Sequence, residues 1–320
     1  MIDIAVVGAG PCGLGVGAAA RQLGVGCTIF DKSCVVSSIA GYPTFMTFFS
    51  TPAKLEIADV PFVVVGDKPT RREALRYYQR LVDVFQLDVH QYEKVTGVDK
   101  SGDKFVVHTS KGEYEAANIV IATGYFDSPN MLGIPGEDLP KVAHSYREGH
   151  PFFKQDVVVV GGGNSAVDAA LELNKWGARV TIVHFGEALD PNVKPWVAPD
   201  INGRIRDGDI AARFNSQLAE IKPESVIVRN NNTGVLEELK NDWVLAMTGY
   251  MPQRDLPATL GVEYDPETGI PLHDPETMET NAPGVFIAGV ITAGNNANKV
   301  FIENGREHGW KIVNAVKNKK

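Results

Sequence analysis

Twice along this chain a short apolar run ends in a glycine turn and gives way to small, helix-compatible residues. Ile2–Val7 (IDIAVV) enters GAGPCG and then LGVGAAARQLG; Asp156–Val160 (DVVVV) enters GGGNSA and then VDAALELNKWG. A further strand-like run follows each, CTIFD in the first case and ARVTIVH in the second. Strand, tight turn, helix and strand in that order open a doubly wound parallel sheet, and few other folds accept the pattern. The halves also close alike, in IVIATGY and WVLAMTGY, which points to one duplication at domain scale.

The turns carry chemistry. Gly8, Gly10 and Gly13 form G-x-G-x-x-G, with Pro11 and Cys12 inside it. The first glycine permits the turn, the second lets backbone approach a pyrophosphate, and the third lets helix and strand pack closely. The helix start offers free N–H groups and a positive dipole end to phosphate. Asp31, followed by Lys32, ends the next strand, where a carboxylate accepts hydrogen bonds from a ribose diol. The second turn reads G-x-G-x-x-A, with Gly161, Gly163 and Ala166, and Asn164 and Ser165 at the helix start. Its strand ends in His184 and Phe185 rather than an acid. Nothing there repels a 2′-phosphate, so this site is expected to take NADPH, with Lys194, Arg204 and Arg206 as candidate phosphate ligands.

Two such sites imply two cofactors that exchange a hydride, FAD in the first and the nicotinamide nucleotide in the second. The expected fold is α/β, two Rossmann-like three-layer domains. Residues 1–125 and 251–320 would form a discontinuous FAD-binding domain, with an NAD(P)-binding domain at 126–250 inserted into it. Thr123 and Gly124 in ATGY, and Gly289 in GVFIAG, are expected to add contacts to the flavin nucleotide. Residues 38–62 lack a period and read as an ordered loop with a task. There Tyr42, Phe48 and Phe49 could pack on the flavin ring, Thr47 or Ser50 could bond its edge, and Lys54 and Glu56 could reach ribose or phosphate. Arg71–Phe85 reads as a helix, 96–124 as a small antiparallel meander, and Lys299–Val316 as a closing helix that Asn295 and Asn296 would cap or precede with a flavin contact.

Net charge of −8 argues against nucleic acid or an anionic membrane surface as partner. No apolar run reaches the roughly 18 residues of a membrane span. The opening lacks a basic n-region, so no secretory signal is expected. Three cysteines, Cys12, Cys27 and Cys34, build no disulfide framework and suit a reducing cytoplasm. His144, His150 and His308 show no metal-ligand spacing, and no metal is expected. Cys12 is the candidate catalytic residue: a thiol at a helix N-terminus is favoured as thiolate and can attack a disulfide, while the nearby pyrophosphate opposes that and a merely small side chain would also suit the position.

With these residues in view, the chain resembles the small two-domain flavoproteins of thioredoxin reductase architecture, and within them the bacillithiol disulfide reductase (YpdA) family. The resemblance runs along nearly the whole chain: VVGAGPCGL, GYPTFMTFFS, KLEIADVPF, IATGYFDSPN, GIPGEDLPKV, EGHPFF, DVVVVGGGNSAVDAALEL, KPW, AMTGY, ETMETNAPGVFIAGVITAGNNAN and FIENGR. It implies NADPH-dependent reduction of the disulfide of a low-molecular-weight thiol through FAD, a redox role for Cys12, and a homodimer or homotetramer. Thioredoxin reductases carry C-x-x-C in the nicotinamide domain; here every cysteine lies within residues 12–34, which argues against a dithiol relay. Val290 stands where those enzymes have an Asp. An NADPH:ferredoxin or flavodoxin reductase of the same architecture is the alternative, since it too lacks C-x-x-C. A flavin monooxygenase is less well matched, because its F-x-G-x-x-x-H fingerprint is absent.

Overall fold

In the computed structural model, which describes residues 1–319, the opening apolar run is strand β1 (Ile2–Val7) and the stretch after the turn is helix α1 (Pro11–Leu23). Gly24, at φ 73°, stops α1 by returning its N–H to Ala20 O. Strand β2 (Cys27–Phe30) then pairs parallel to β1. The loop expected over 38–62 is irregular apart from two short helices, α2 (Ser37–Gly41) and α3 (Pro52–Leu55). Helix α4 (Arg71–Phe85) starts at a capping box. Thr70 Oγ1 accepts the Glu73 N–H, and the Glu73 carboxylate accepts the Thr70 N–H. Its Ala74, Tyr77, Tyr78 and Leu81 recur at one-turn spacing and are the residues it buries.

Strands β3 (Asp88–His90), β4 (Val95–Ser101), β5 (Lys104–Thr109) and β6 (Glu113–Ile121) complete the first half, in the order β3-β2-β1-β6-β5-β4. One flank of the nine-residue β6 runs parallel to β1; along the other, its first half pairs antiparallel with β5. The meander is thus an outgrowth of the parallel sheet, carried by its longest strand.

A second compact unit, Pro129–Tyr250 together with Tyr42–Thr44, follows. It contains β7 (Val142–Ala143), β8 (Asp156–Val160), α5 (Asn164–Lys175), β9 (Arg179–Val183), α6 (Ala198–Asp207), β10 (Ile210–Arg213), β11 (Ser216–Ile221), β12 (Ser225–Asn230), β13 (Leu236–Lys240) and β14 (Trp243–Ala246). A parallel sheet in the order β10-β9-β8-β14-β7 carries the glycine turn, and β11-β12-β13 form an antiparallel sheet beside it. Val157, Val159, Ile182 and Leu245 bury one face of the parallel sheet with Val167, Ala170 and Leu173 of α5 and Ile201 of α6. Sequence pattern did not mark α6, because Pro199, Asn202 and Gly203 read as breakers. Pro199 falls in its first turn, where a missing N–H costs nothing.

From Met251 the chain belongs to the first unit again, with α7 (Asp255–Thr259), β15 (Val285–Ile287), α8 (Ile302–Gly305) and α9 (His308–Asn318). β15 pairs parallel with the second half of β6. The closing helix expected over Lys299–Val316 is broken into a 3-10 turn at Ala297–Lys299, α8 and α9. The Asn304 side chain accounts for the first break, between Lys299 and Ile302. It accepts the Phe301 N–H at 2.8 Å and donates to Lys299 O at 2.9 Å, bonds that compete with a continuous helix.

Helix α9 crosses α1 through two glycines: a methyl group on Gly309 would sit 2.5 Å from Gly15 O. Gly309→Ala therefore forces the two helices apart and is expected to cost roughly 1–3 kcal/mol. Thermal unfolding should shift down by several degrees; an unchanged Tm would show that the crossing is loose.

Candidate functional site

The first turn sits at the C-terminal end of β1. Gly8 lies at φ 114°, and a Cβ there would meet Ala122 O at 2.4 Å; a Cβ on Gly13 would meet Gly8 O at 2.0 Å. Only glycine satisfies both positions. At Gly10, by contrast, a Cβ would meet nothing within 4 Å, and α1 begins there with no side-chain cap. An uncapped helix start behind an open glycine, with Pro11 in its first turn, is what a diphosphate requires, so these residues fit the FAD pyrophosphate.

Asp31 has a second task beyond any ribose contact. Its Oδ2 accepts the Ala9 N–H at 2.7 Å and its Oδ1 the Ser33 N–H at 2.8 Å, which fastens the end of β2 to the glycine turn. Lys32 forms an ion pair with Asp127. Across the turn, a Cβ on Gly8 would lie 3.2 Å from Thr123 N, and Gly124 follows at φ 68°. Gly8, Gly13, Cys12, Thr123 and Gly289 therefore converge where β1, β6 and β15 end, the usual place for a ligand on such a sheet.

Cys12 is the second residue of α1, and its sulfur rests in a glycine niche. A Cβ on Gly289 would meet Sγ at 3.0 Å, and one on Gly305 at 2.9 Å. Some of the residue's surface remains open, but burial of the sulfur pushes the thiol up to about 12. A helix dipole contributes only ~0.3–1 kcal/mol, less than one pKa unit, so burial decides and the resting group is the thiol. Cys27 is raised to about 12 as well, by burial and then by Asp88.

The other expected contacts divide. Thr47 is exposed and bridges to Thr70. Exposed Lys54 stands on α3, and the Glu56 carboxylate is used internally, accepting the Phe62 N–H at 3.0 Å. Tyr42–Thr44 falls in the second unit, where the Thr44 N–H donates to Arg147 O. Ser50 bonds Glu303, and Arg306 donates to Ala53 O and Glu56 O, so this loop is fastened to α8 and the residue after it. Asn295 does not cap the closing helix: its oxygen accepts from Arg254 and its N–H donates to Thr268 O. The backbone N–H of Asn296 closes a turn onto Ala293 O.

The second turn repeats the first. Gly161 lies at φ 132°, with a Cβ 2.4 Å from Met247 O, while Gly163 is open and uncaps α5. Ala166 packs beneath it, its Cβ 3.3 Å from where one on Gly161 would be. Asn164 stitches a loop to the helix start, donating to Asn192 O and accepting the Lys194 N–H; Ser165 follows it in the first turn. His184 is buried over the backbone of Gly162 and Gly186, and burial lowers its pKa, so it sits neutral. Its Nδ1 is buried with no partner, a polar atom that a bound nucleotide would satisfy. These features fit a nicotinamide dinucleotide.

The charged candidates fare differently. Lys194 stays beside the helix start, paired at 2.6 Å with Asp168. Arg204 is excluded by position, because it bonds Asn174 near the far end of α5, about 15 Å along the helix from the turn. Arg206 pairs with its neighbour Asp207 at the surface. Sequence reasoning passed over Gly305, which walls the Cys12 sulfur, and assigned no role to His308, whose Nδ1 accepts the Gly289 N–H. His144 approaches Glu137, and His150 packs edge-on against Trp176. Among the described residues no three metal-ligating side chains gather, and no helix is long and apolar enough to cross a membrane.

Residues 5–289 match the family model described as pyridine nucleotide-disulphide oxidoreductase. The chain is 48% identical over 309 residues to bacilliredoxin reductase Bdr of Bacillus subtilis, covering 96% of this chain and 95% of the relative. It superposes on the bacillithiol disulfide reductase Bdr of Bacillus cereus with a TM-score of 0.96 at 44% identity, covering 100% of this chain and 99% of that one. Ferredoxin–NADP reductase of Ignicoccus hospitalis is more distant, 31% identical over 298 residues, 91% of this chain and 90% of that relative.

With thiols near 12, only about one Cys12 or Cys27 in ten thousand is thiolate at pH 8. Iodoacetamide labelling of the apoprotein, followed by mass spectrometry, should show both reacting at least a hundredfold more slowly than a free small thiol. Rapid labelling of Cys12 would mean that the niche is open.

Proposed function

The chain belongs to the pyridine nucleotide-disulphide oxidoreductase family, and we propose that it reduces the disulfide of a low-molecular-weight thiol, of the bacillithiol type, at the expense of NADPH. It is a flavoprotein oxidoreductase that uses FAD and a nicotinamide nucleotide. The observation that carries the substrate reading is near full-length likeness to reductases named for bacillithiol and bacilliredoxin, far above the likeness to ferredoxin reductases. The cysteine distribution agrees, because no dithiol exists in the second unit to pass electrons to a thioredoxin.

In this reading the first unit holds FAD, with Gly8, Gly10, Pro11 and Gly13 at the pyrophosphate and Thr123, Gly124 and Gly289 closing on it. Asp31 sets the shape of the turn through Ala9. The second unit holds NADPH, with Gly161, Gly163, Asn164, Ser165 and Ala166 at its diphosphate. We assign the Lys194 ammonium, beside the start of α5, and the unpartnered His184 Nδ1, just after β9, to contacts with the nucleotide. FAD bound there supplies two-electron transfer between the nicotinamide and the disulfide. Cys12 is assigned as the sulfur that meets the substrate. Its proton passes to solvent, the thiolate attacks one disulfide sulfur, the other half leaves as thiolate and takes up a proton, and a mixed disulfide forms on Sγ; the two electrons that FAD would supply there would cleave it and return Cys12 to the thiol.

A protonated resting thiol gives the assignment a sharp pH signature. Below its pKa the thiolate fraction rises about tenfold per pH unit, so disulfide reduction should climb steadily between pH 6 and 9. Cys12→Ser should keep FAD and NADPH-driven dye reduction while disulfide reduction falls at least a hundredfold. Full activity in that variant would remove Cys12 from the chemistry and leave it as a packed small residue. For the nucleotide, kcat/KM should favour NADPH over NADH; equal values would overturn the phosphate reading of the second turn.

A further inference from the structure

The Gly289 turn contacts both Cys12 and His308. Gly289 opens the 3-10 turn Gly289–Ala293 at φ 79°, directly after β15, and its N–H donates to His308 Nδ1 at 3.1 Å. The Thr292 hydroxyl closes the same turn by donating to Gly289 O at 2.8 Å. Gly289 and Gly305 form the niche of the Cys12 sulfur, and a Cβ on Gly305 would lie 3.4 Å from Gly289 Cα. Residues 305–308 thus supply both a wall of the niche and the acceptor that fixes its other wall.

We propose that His308 is a positioning residue for the disulfide-reducing site: by accepting the Gly289 N–H, its neutral imidazole fixes the turn against which the Cys12 sulfur packs. The inference rests on the role assigned to Cys12 above. The bond requires an unprotonated Nδ1, so the proton of the neutral ring is on Nε2. Burial first, and then electrostatic repulsion from Lys311 and His273, lower the pKa of the ring to about 4. Lys311 stands on α9 itself, and His273 on the loop before β15. Neither the 289–293 turn nor the first turn of α1 carries a charged side chain. Protonation would replace the acceptor with a donor facing the Gly289 N–H, and the turn would lose its anchor. Stability follows the same sign. A histidine whose folded pKa is depressed stabilises the fold above its unfolded value near 6.5, and that contribution is lost as pH falls from about 6.5 to about 4.

Two measurements decide the matter. In the apoprotein at pH 8, His308→Leu removes the acceptor and should raise Cys12 alkylation about tenfold, while His308→Asn, whose Oδ1 can stand in for Nδ1, should stay within about threefold of wild type. A Leu variant that labels like wild type overturns the proposal. The second measurement needs no variant. With [15N]glycine labelling, the Gly289 amide resonance of wild type should titrate with a midpoint at about 4; an amide that does not move through that range also overturns it. Neither readout uses a disulfide substrate, so both judge His308 independently of the activity, whose own failure would appear as absent disulfide reduction by the wild type.

Discussion

The structure depends on a contact that admits no side chain. Helix α1 must start close enough to the end of β1 for its N–H groups to point out of the sheet, and the two meet where a Cβ on Gly13 would lie 2.0 Å from Gly8 O. The same constraint recurs at Gly161, 2.4 Å from Met247 O, and there Ala166 is tolerated in place of a third glycine. Each contact leaves the start of a helix without a side-chain cap. An uncapped helix end is stabilised by an anion, so each turn that permits the packing also creates the demand that a dinucleotide meets.

Around the first turn, the structure shows how a fixed scaffold sets the ionisation of a thiol. A cysteine at a helix start would be expected as thiolate, but two glycines, Gly289 and Gly305, bring backbone close enough to bury its sulfur. Desolvation then outweighs the dipole, and the thiol rests protonated. A protonated thiol reacts slowly with oxidants and electrophiles. His308 belongs to the same arrangement, holding one wall of the niche.

Much of this was legible in the residues. The order of strand, glycine turn and helix, the two cassettes, helix α4 and the meander into β6 all rest on short-range patterns, and the structure reproduces them. The 38–62 stretch stayed irregular apart from the short helices α2 and α3. What failed were side-chain directions and long-range competition. Asn295, expected either to cap the closing helix or to contact the flavin, is held by Arg254, 41 residues away. Arg204 looked like a phosphate ligand and lies near the wrong end of α5. The closing helix looked continuous and is split by a side chain that bonds the backbone.

The sequence alone determined that this chain folds as two nucleotide-binding cassettes, because turn geometry and sheet periodicity are set by neighbours within a few residues. Only the tertiary structure decided the ionisation of Cys12, the partner of His308 and the pairing of Lys194 with Asp168. Those properties come from atoms brought together across tens to hundreds of residues, and desolvation and hydrogen bonding depend on that three-dimensional neighbourhood rather than on local order.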